Sequence, residues 1–512
     1  MDTIPFLSIV EPALGGLVVE TWTEAVASPT LNYQWLFQVK MSHNGLPINL
    51  PLEENVLREI VEKAKDWGLM HGVGIRPFDT MNPNTLTIAP HALFPTPVPR
   101  KDFDELIRLQ PALNLLMHKV AHDHKFLEKA LGNTVLHDEF TKRTYEIYET
   151  VRKEGFAQDV SLGMFRSDYL PDTVRSLYLQ VEINTISTSI ASLASHVTEL
   201  QSYILGELGY SHLLENMPDN NSLHLMSLGL VKTWEYFGNE KAVVLFLTED
   251  VTANICDQRF MEYEIRKIQP KIKVLRVKFS DSAKFRLGSK KELLVDDQEV
   301  AVVYYRTAYT PELYKKGDWE TRLLIERSTA VKCPSVQYHL AGTKKVQQVL
   351  ALPGVVEQFF EDPSEAKAIR KLFTELYSLD LNEEGDKAYN LAFQLPENYV
   401  LKPQREGGGN NIYGKEIPNF LQSLGKERQA YILMGLISPR PTQNYLVSRA
   451  SGDLPALETV VSELGIYGVI LGSSKEILTN YQAGHMLRSK LSTSNEGGLA
   501  VGSGFLDSPY LV

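Results

Sequence analysis

Apolar residues recur at helical spacing through the first third of the chain, over residues 52–67, 103–131 and 139–151. An apolar side chain on every turn is typical of amphipathic helices that pack one face against a core. The pattern therefore predicts a largely helical first third, and it carries no evident chemistry.

Near Ser176 the pattern changes to short apolar runs that read as strands. Such runs occupy residues 176–187, 242–250, 271–279, 300–306, 399–404, 430–437 and 465–471. Helical patterns cover 254–268, between two of these runs, and 318–328, after the run at 300–306. Strands that alternate with helices predict a small parallel sheet in an α/β unit. The acidic stretch 362–387 predicts a solvated connection and a helix.

Composition narrows the class of protein. The 52 basic and 63 acidic residues give a net charge of −11, which argues against a partner such as nucleic acid or an anionic membrane. Cys256 and Cys333 form no CxxC pair, which excludes a zinc knuckle and a disulfide framework. No apolar run reaches the roughly 20 residues of a membrane-spanning helix. Residues 1–19 lack a basic leader, so a cytoplasmic protein is expected, although a secretory leader removed before residue 1 would leave no trace.

The strongest chemical signal is the segment KPQREGGGNN, residues 402–411. Three consecutive glycines let the backbone approach a ligand closely, and successive N–H groups can line an anion. Lys402 and Arg405 add positive charge, and Glu406 beside a phosphate calls for a divalent cation as well. The segment indicates a nucleotide phosphate held together with Mg²⁺; taken alone, it is equally consistent with a mobile surface loop.

A second signal is the segment QVEINTISTS, residues 180–189. On a strand, Glu182 and Asn184 lie two residues apart and face the same side. A carboxylate and an amide oxygen together suit Mg²⁺, and the hydroxyls that follow can bind a polar ligand. A sheet edge that runs into a polar turn explains the same residues without a ligand.

Other signatures of nucleotide-binding and catalytic sites do not occur in the sequence. The chain has no GxxxxGK[ST] and no GxGxxG after a strand, which argues against a P-loop enzyme and a Rossmann dinucleotide site. It has no HExxH zinc motif and no GxSxG nucleophile elbow.

Five segments together resemble eukaryotic glutathione synthetases: QVEINTIS, LAGTKKVQQ, LKPQREGGGNNIYG, SELGIYG, and GHMLRSK followed by EGGLAVGSGFLDSPYLV. They occur in matching order and, with weaker similarity in FRSDYL and NICDQR, cover most of the chain from about residue 163. The resemblance implies an α/β (α+β) fold of the ATP-grasp type, in its permuted eukaryotic form, with a small parallel substrate-binding domain and a Gly-rich lid. It implies a homodimer that ligates γ-glutamyl-cysteine to glycine with Mg²⁺ and ATP, giving glutathione, ADP and phosphate through an acyl phosphate.

The resemblance also implies roles for individual residues. The ligands of two Mg²⁺ ions would be Glu182, Asn184 and Glu406. The ATP-binding residues would be Glu182, Lys344, Lys402, Glu406, Gly407, Gly408, Gly409, Asn410, Asn411, Tyr413, Met434, Gly435, Leu436, Ile437, Glu463, Lys490 and Glu496. The residues that bind γ-glutamyl-cysteine and glycine would be Arg166, Ile186, Ser187, Thr188, Ser189, Thr252, Ala253, Asn254, Gln258, Arg306, Thr307, Ala308, Tyr309, Arg488, Leu499 and Ala500. Arg166, Lys402 and Arg488 would be catalytic, because both chemical steps need charge neutralisation and alignment.

The same resemblance predicts three domains. Residues 1–241 would form a helical region and the first part of the ATP-grasp main body. Residues 242–343 would form the substrate-binding domain. Residues 344–512 would complete the main body and contain the lid, over about 378–458.

Several positions depart from the family pattern. Thr252 stands where relatives usually have an acidic residue, and Glu496 replaces an aspartate. Gly435 and Leu436 stand where relatives often have polar or charged residues, and Val501 stands where a smaller alanine is common. These departures leave two alternatives open. One is the same ligase chemistry with alanine or serine as acceptor, of the homoglutathione type; the other is a binding protein of this fold with reduced or lost catalysis.

Overall fold

The computed structural model describes residues 46–77, 79–80, 82–406, 409–498 and 503–512. Predictions that concern residues 1–45, Gly407, Gly408, Leu499, Ala500 and Val501 lie outside the described residues. The helices are α1 (Glu54–Met70), α2 (Arg100–His122), α3 (His124–Leu131), α4 (Thr134–His137), α5 (Glu139–Glu154), α6 (Ala191–Glu207), α7 (Ser222–Phe237), α8 (Ile255–Ile268), α9 (Asp318–Glu326), α10 (Val336–Ala341), α11 (Lys344–Leu350), α12 (Pro363–Arg370), α13 (Glu383–Gln394) and α14 (Glu416–Leu424).

The strands form five sheets in the described part of the chain. They are β1 (Gly74–Ile75), β2 (Thr87–Ile88), β3 (His91–Ala92), β4 (Thr96–Val98), β5 (Ser161–Asp172), β6 (Leu177–Asn184), β7 (Val243–Thr248), β8 (Val274–Lys278), β9 (Phe285–Leu287), β10 (Leu293–Val295), β11 (Gln298–Tyr305), β12 (Val331–Cys333), β13 (Leu376–Ser378), β14 (Tyr399–Pro403), β15 (Ile412–Tyr413), β16 (Tyr431–Gly435), β17 (Thr442–Val447), β18 (Leu457–Gly472), β19 (Ile477–Leu491), β20 (Phe505–Asp507) and β21 (Pro509–Leu511).

The helices predicted for the first third are present, with one difference. Helices α1 and α5 match the predicted intervals closely, but the predicted helix over 103–131 is two helices, α2 and α3. The break lies at Asp123, whose backbone is extended and whose carboxylate accepts the N–H of Phe126 to cap α3. A side chain that satisfies a free N–H at a helix start favours a new helix over continuation of the old one.

A seven-stranded sheet with the order β17-β3-β20-β19-β18-β5-β6 is the centre of the fold. Strand β18 alternates its side chains between two cores: Ile466 and Ile470 pack with residues of α2, and Val469 and Leu471 pack with residues of α6 and α7. Because helices cover both faces of this strand, both of its faces are apolar, which explains the continuous apolar run over 465–471.

The predicted parallel sheet is confirmed. Strands β8, β7, β11 and β12 pair in parallel in that order. The structure adds β9 and β10, an antiparallel extension beside β11 that the apolar pattern did not indicate. The loops after β7 and β11 therefore leave the sheet at the same edge.

A four-stranded antiparallel sheet with the order β13-β16-β14-β15 carries the Gly-rich segment between β14 and β15. The prediction for 362–387 missed β13, which has three residues that are all half-buried. A strand this short gives no readable alternation of polar and apolar residues. The overall class, a mixed α/β fold, is confirmed; the domain limits stay predictions. No helix of the described residues is long and apolar enough to cross a bilayer.

A glycine in the central sheet provides a test of the packing. A Cβ at Gly468 would overlap the side-chain amide of Asn114, which donates to Asn480 Oδ1 (2.9 Å). We expect Gly468→Ala to lower the free energy of unfolding by about 1–3 kcal/mol, because an extra methyl group in a packed core forces its neighbours to move. Urea unfolding of both proteins measures the difference.

Gly206→Ala is the matched control. Outside its own helix backbone, the nearest atom to a Cβ at Gly206 is Ser211 Oγ at 3.9 Å, and alanine restricts the unfolded chain more than glycine does. This variant should be as stable as the wild type or more stable. Equal destabilisation by both substitutions would contradict the packing of β18 against α2.

Candidate active site

A cavity of about 520 Å³ lies where the seven-stranded sheet, the four-stranded sheet and the carboxyl edge of the parallel sheet meet. Most of the predicted site residues line it. They are Arg166, Glu182, Asn184, Ile186, Ser187, Thr188, Ser189, Ala253, Asn254, Arg306, Tyr309, Lys344, Lys402, Glu406, Asn410, Asn411, Tyr413, Met434, Gly435, Leu436, Ile437, Glu463, Arg488, Lys490 and Glu496.

Five predicted residues within the described part of the chain do not line this cavity: Thr252, Gln258, Thr307, Ala308 and Gly409. Two of them support residues that do. Gln258 Nε2 donates to Asn254 Oδ1 (3.1 Å), and the carbonyl of Thr307 accepts from Ser187 Oγ (3.3 Å). Direct substrate contact by these five residues stays a prediction.

The cavity concentrates positive charge in an acidic protein. The basic residues on its wall are Arg166, Arg306, Lys344, Lys402, Arg405, Arg488 and Lys490, and the acidic residues are Glu182, Glu249, Glu406, Glu463 and Glu496. Among the described wall residues, cations therefore outnumber carboxylates, whereas the whole chain carries −11. Locally placed Lys and Arg side chains thus give an acidic protein a cavity suited to an anion.

Lys344 joins the two segments that the sequence singled out. Its Nζ lies 2.9 Å from Glu182 Oε2 and 3.1 Å from Glu406 Oε2. Glu182 comes from β6, Glu406 follows β14, and Lys344 is the first residue of α11, which is capped by Thr343. Two carboxylates that are 224 residues apart in sequence (406 − 182) thus meet at one cation.

Burial and neighbouring charges shift the pKa values of this group. Burial alone would raise the pKa of Glu182, but Lys344 and Lys402 outweigh it and lower the pKa below the ordinary value. Burial raises the pKa of Glu406 to about 7, the negative charge of Glu182 adds to the rise, and Lys344 opposes it. Burial and the repulsion between the two carboxylates therefore act against the attraction of the neighbouring lysines.

These oxygen atoms fit a magnesium site. Carboxylates of Glu182 and Glu406 both reach one ammonium, so both lie within reach of a single cation. Asn184 uses its NH₂ group to donate to Asp168 Oδ2 (2.9 Å) and Glu182 Oε1 (3.3 Å), which leaves its carbonyl oxygen as the atom suited to a cation. Two carboxylates and an amide oxygen are the ligand types that Mg²⁺ prefers.

Two arginines are held on the sheet beside this group. Arg166 in β5 forms a bidentate ion pair with Asp168 (2.6 and 2.8 Å) and donates to the carbonyl of Ser189 (3.2 Å). Burial raises the pKa of Asp168 to about 6, although Arg166 opposes the rise. Arg488 in β19 donates to Glu463 Oε1 (2.8 Å), its direct cross-strand partner in β18. Both guanidinium groups are therefore oriented before any ligand binds.

Polar groups of two segments of the cavity wall, the one after the glycines and the loop after β19, meet at Glu496. Its Oε1 accepts from Asn411 Nδ2 (2.9 Å) and from the Tyr413 hydroxyl (3.0 Å). Lys490 Nζ donates to the carbonyl of Asn495 (2.6 Å). The residues that follow the Gly-rich segment are thus tied to the loop after β19.

Sequence reasoning missed part of the wall. The residues added by the structure are Ile75, Leu170, Val181, Ile190, Leu193, Glu249, Val400, Pro439, Val461, Ser492, Ser494, Asn495, Gly497 and Gly498. Most are apolar or small residues inside ordinary strand or loop patterns, which give no chemical signal. Glu249 is different, because a carboxylate directly after a buried parallel strand stands at the edge where such sheets bind ligands. Arg405, expected near phosphate, lines the cavity and pairs with Asp138 Oδ2 (2.6 Å).

The raised pKa of Glu406 predicts how stability depends on pH in the metal- and nucleotide-free protein. Between the ordinary glutamate pKa of about 4.3 and a folded-state pKa of about 7, the folded protein keeps a proton that the unfolded chain releases. Glu406 therefore costs stability progressively as pH rises through this window. We expect Glu406→Gln to melt at a higher temperature than the wild type at about pH 8, with a smaller difference at about pH 5.5.

Thermal unfolding at the two pH values tests this expectation, with Glu312→Gln as the control because Glu312 is exposed. The control should follow the wild type at both pH values. A Glu406→Gln variant that melts below the wild type at high pH would contradict the charge balance described around Lys344.

Comparison with known proteins shows which family this chain belongs to. Residues 54–511 match the family described as eukaryotic glutathione synthase, ATP binding domain. The chain is 42% identical to the glutathione synthetase of Rattus norvegicus over 472 residues, which cover 90% of this chain and 98% of the rat protein. It is 41% identical to that of Homo sapiens over 470 residues, with the same coverage. The chloroplastic glutathione synthetase of Solanum lycopersicum is 36% identical over 489 residues, 93% of this chain and 88% of that protein.

A solved structure agrees with the sequence comparison. A glutathione synthetase-like effector from Globodera pallida, in its apo form, superposes with a TM-score of 0.73 at 26% identity and covers 90% of this chain and 98% of that one. The family match and the relatives span the sheets and helices that build the cavity. The chain belongs to the eukaryotic glutathione synthase family.

Proposed function

We propose that this protein ligates γ-glutamyl-cysteine to glycine, with ATP converted to ADP and phosphate, and that the cavity around Lys344 is where it does so. Glutathione synthetases at about 40% identity over 90% of the chain support the activity. The observation that carries the assignment of the site is the meeting of Glu182 and Glu406 at Lys344, 2.9 and 3.1 Å from its Nζ.

We assign the fold to the permuted ATP-grasp type, with the domain limits predicted from the sequence. The parallel sheet from β7 to β12 falls inside the proposed substrate-binding domain, 242–343. Most of the four-stranded sheet and the Gly-rich segment fall inside the proposed lid, about 378–458. A homodimer is proposed from the family resemblance alone, and the cytoplasmic location expected from the sequence stays a prediction.

The chemistry requires two anions to react with each other. The cysteinyl carboxylate of the dipeptide must attack the terminal phosphate of ATP, and glycine then attacks the resulting acyl phosphate. Arg166, Lys402 and Arg488 supply positive charge on one wall of the cavity, and charge placed beforehand costs no reorganisation when the reaction occurs. We propose that these three residues neutralise and align the reacting groups.

Glu182, Asn184 and Glu406 would hold Mg²⁺, which supplies charge neutralisation at the nucleotide phosphates. Lys344 and Lys402 would contact the same phosphates. Lys402 is held on the sheet because its Nζ donates to the carbonyl of Val181 (3.1 Å). The residues from Asn410 to Tyr413 would close over the nucleotide and exclude water, which competes for the acyl phosphate.

The nucleotide base would lie against an apolar part of the wall. Met434, Leu436 and Ile437 line the cavity there, and Leu436 is 44% exposed. The N–H of Leu436 donates to the carbonyl of Asn398 (2.8 Å). At Gly435, a Cβ would lie 3.3 Å from Thr374 Oγ1 and from Glu375 Cβ, so the position has little room for a side chain as the strands are packed.

An ADP-release assay tests the function. With γ-glutamyl-cysteine, ATP and Mg²⁺, we expect turnover on addition of glycine and much slower turnover with alanine or serine, because glutathione, the product after which the relatives are named, ends in glycine. Mass spectrometry identifies the tripeptide. Turnover with alanine or serine alone would show a different acceptor, and thermal stabilisation by γ-glutamyl-cysteine without any ADP would show a binding protein.

Loss of one proposed metal ligand provides a second test. We expect Glu406→Gln to reduce turnover by about three orders of magnitude, since the variant loses a charge at the phosphates while keeping its shape. The Mg²⁺ concentration for half-maximal rate should also rise. Glu312→Gln is again the control and should keep wild-type turnover. Near-normal activity of the Glu406 variant would overturn the placement of the metal.

A further inference from the structure

Glu249 and Arg306 lie at the same edge of the parallel sheet. Glu249 is the first residue after β7, and Arg306 is the first residue after β11. The two strands are neighbours, and the N–H of Arg306 donates to the carbonyl of Leu247 in β7 (2.8 Å). Both side chains line the cavity. The carboxyl edge of a parallel sheet is where such folds bind ligands.

Arg306 is already engaged by its surroundings. Its guanidinium donates to Asp257 Oδ2 (3.0 Å) and to the carbonyl of Thr188 (2.9 Å), and its side chain is 2% exposed. Asp257 also accepts the N–H groups of Ile190 and Ser192 (3.0 Å each). Arg306 is therefore held rigidly at this end of the cavity with its charge largely matched by Asp257.

Glu249 is not paired with a cation in the described part of the chain. Its Oε1 accepts from the Tyr309 hydroxyl (3.0 Å), a neutral donor, and no ion pair to Glu249 occurs among the residues that the structure describes. Burial raises the pKa of Glu249, and the Tyr309 hydrogen bond and the charge of Arg306 oppose the rise only in part. A carboxylate desolvated in this way gains most from a ligand that brings its own positive charge.

The other carboxylates of the wall are committed elsewhere. Glu182 and Glu406 share Lys344, and Glu463 pairs with Arg488. Glu496 lies on the side of the Gly-rich segment, where it accepts from Asn411 and Tyr413. At the end of the cavity formed by the parallel sheet, Glu249 is the acidic wall residue of the described chain.

Position 252 offers no acidic side chain to the cavity. The residue there is Thr252, which is 5% exposed and does not line the cavity. Its carbonyl accepts from Arg76 Nη1 (3.4 Å). Glu249 precedes it by three residues and does reach the wall. The loop between β7 and α8 thus offers one carboxylate to the cavity, from a different position.

The proposed substrate has a matching charge. The γ-glutamyl group carries an α-ammonium and an α-carboxylate, besides the cysteinyl carboxylate that reacts. We propose that Glu249 binds the α-ammonium of the γ-glutamyl group, with Tyr309 holding the carboxylate in place. The proposal rests on the proposed function, and it makes Glu249 the residue that selects donors with a free α-amine.

The test combines a protein variant with a substrate variant. Glu249→Gln removes the charge and keeps the size of the side chain, and glutaryl-cysteine lacks only the α-amino group of γ-glutamyl-cysteine. For the wild type, we expect kcat/KM to fall by about 10- to 100-fold from γ-glutamyl-cysteine to glutaryl-cysteine, because a half-buried carboxylate loses its charged partner. For Glu249→Gln, the two donors should differ by less than about 3-fold.

The loss should appear in KM for the donor, with KM for ATP and glycine unchanged. Asp250→Asn is the matched control, since Asp250 is the next residue and pairs with Lys315, and it does not line the cavity. This control should keep the wild-type preference between the two donors. Tyr309→Phe is a second variant, which frees the carboxylate and should reduce the preference by a smaller factor than Glu249→Gln.

Several outcomes would overturn the inference. Equal loss for both donors in Glu249→Gln would mean that the residue supports the loop and does not recognise the amine. A wild type that uses both donors equally would exclude recognition of the amine, even if Glu249→Gln failed to fold. If the wild type released no ADP with either donor, the proposed function would fail, but thermal stabilisation by the two donors would still test the role of Glu249. Stronger stabilisation by γ-glutamyl-cysteine than by glutaryl-cysteine, lost in Glu249→Gln, would support the inference. Equal stabilisation by the two donors would overturn it.

Discussion

The arrangement around Lys344 is the constraint on which the rest of the cavity depends. Its ammonium draws together Glu182 from the seven-stranded sheet and Glu406 from the segment after β14 in the four-stranded sheet. Two half-buried carboxylates that both contact one ammonium would repel each other without a cation between them. The ion pairs therefore link the two sheets at one wall of the cavity.

The remaining charges follow the same principle of local compensation. Arg166 with Asp168, Arg306 with Asp257 and Arg488 with Glu463 are pairs within the wall. Each pair offsets part of the cost of burying an arginine. A chain with a net charge of −11 can thus hold a cationic cavity, because the excess of acidic residues lies elsewhere. Glu249 stands out against this background as a half-buried carboxylate that faces the cavity and, among the described residues, pairs with the hydroxyl of Tyr309 and with no cation.

Several helices and strands and the two carboxylates at Lys344 could be predicted from the sequence. Helical periodicity indicated α1 and α5, and apolar runs indicated β7, β11 and β18, because these elements bury a regular face. The ligand types of Glu182 and Glu406 suggested a shared cation, and the structure brings them together. The break at Asp123 and the short strand β13 depend on one cap and on three half-buried residues, which periodicity does not register. The pairing of Arg405 with Asp138 and the exposure of Glu249 to the cavity depend on contacts between distant segments, which no local pattern contains.

The long hairpin of β18 and β19 limits where this chain can gain or lose residues during evolution. Arg488, Lys490, Val461 and Glu463 share one face of the hairpin, while Leu487 and Ser489 turn to the other. Adding or deleting a single residue within either strand would exchange the two faces and carry the charged groups away from the cavity. Length variation among descendants of this chain is therefore tolerated best in the connection between the strands, at residues 473–476.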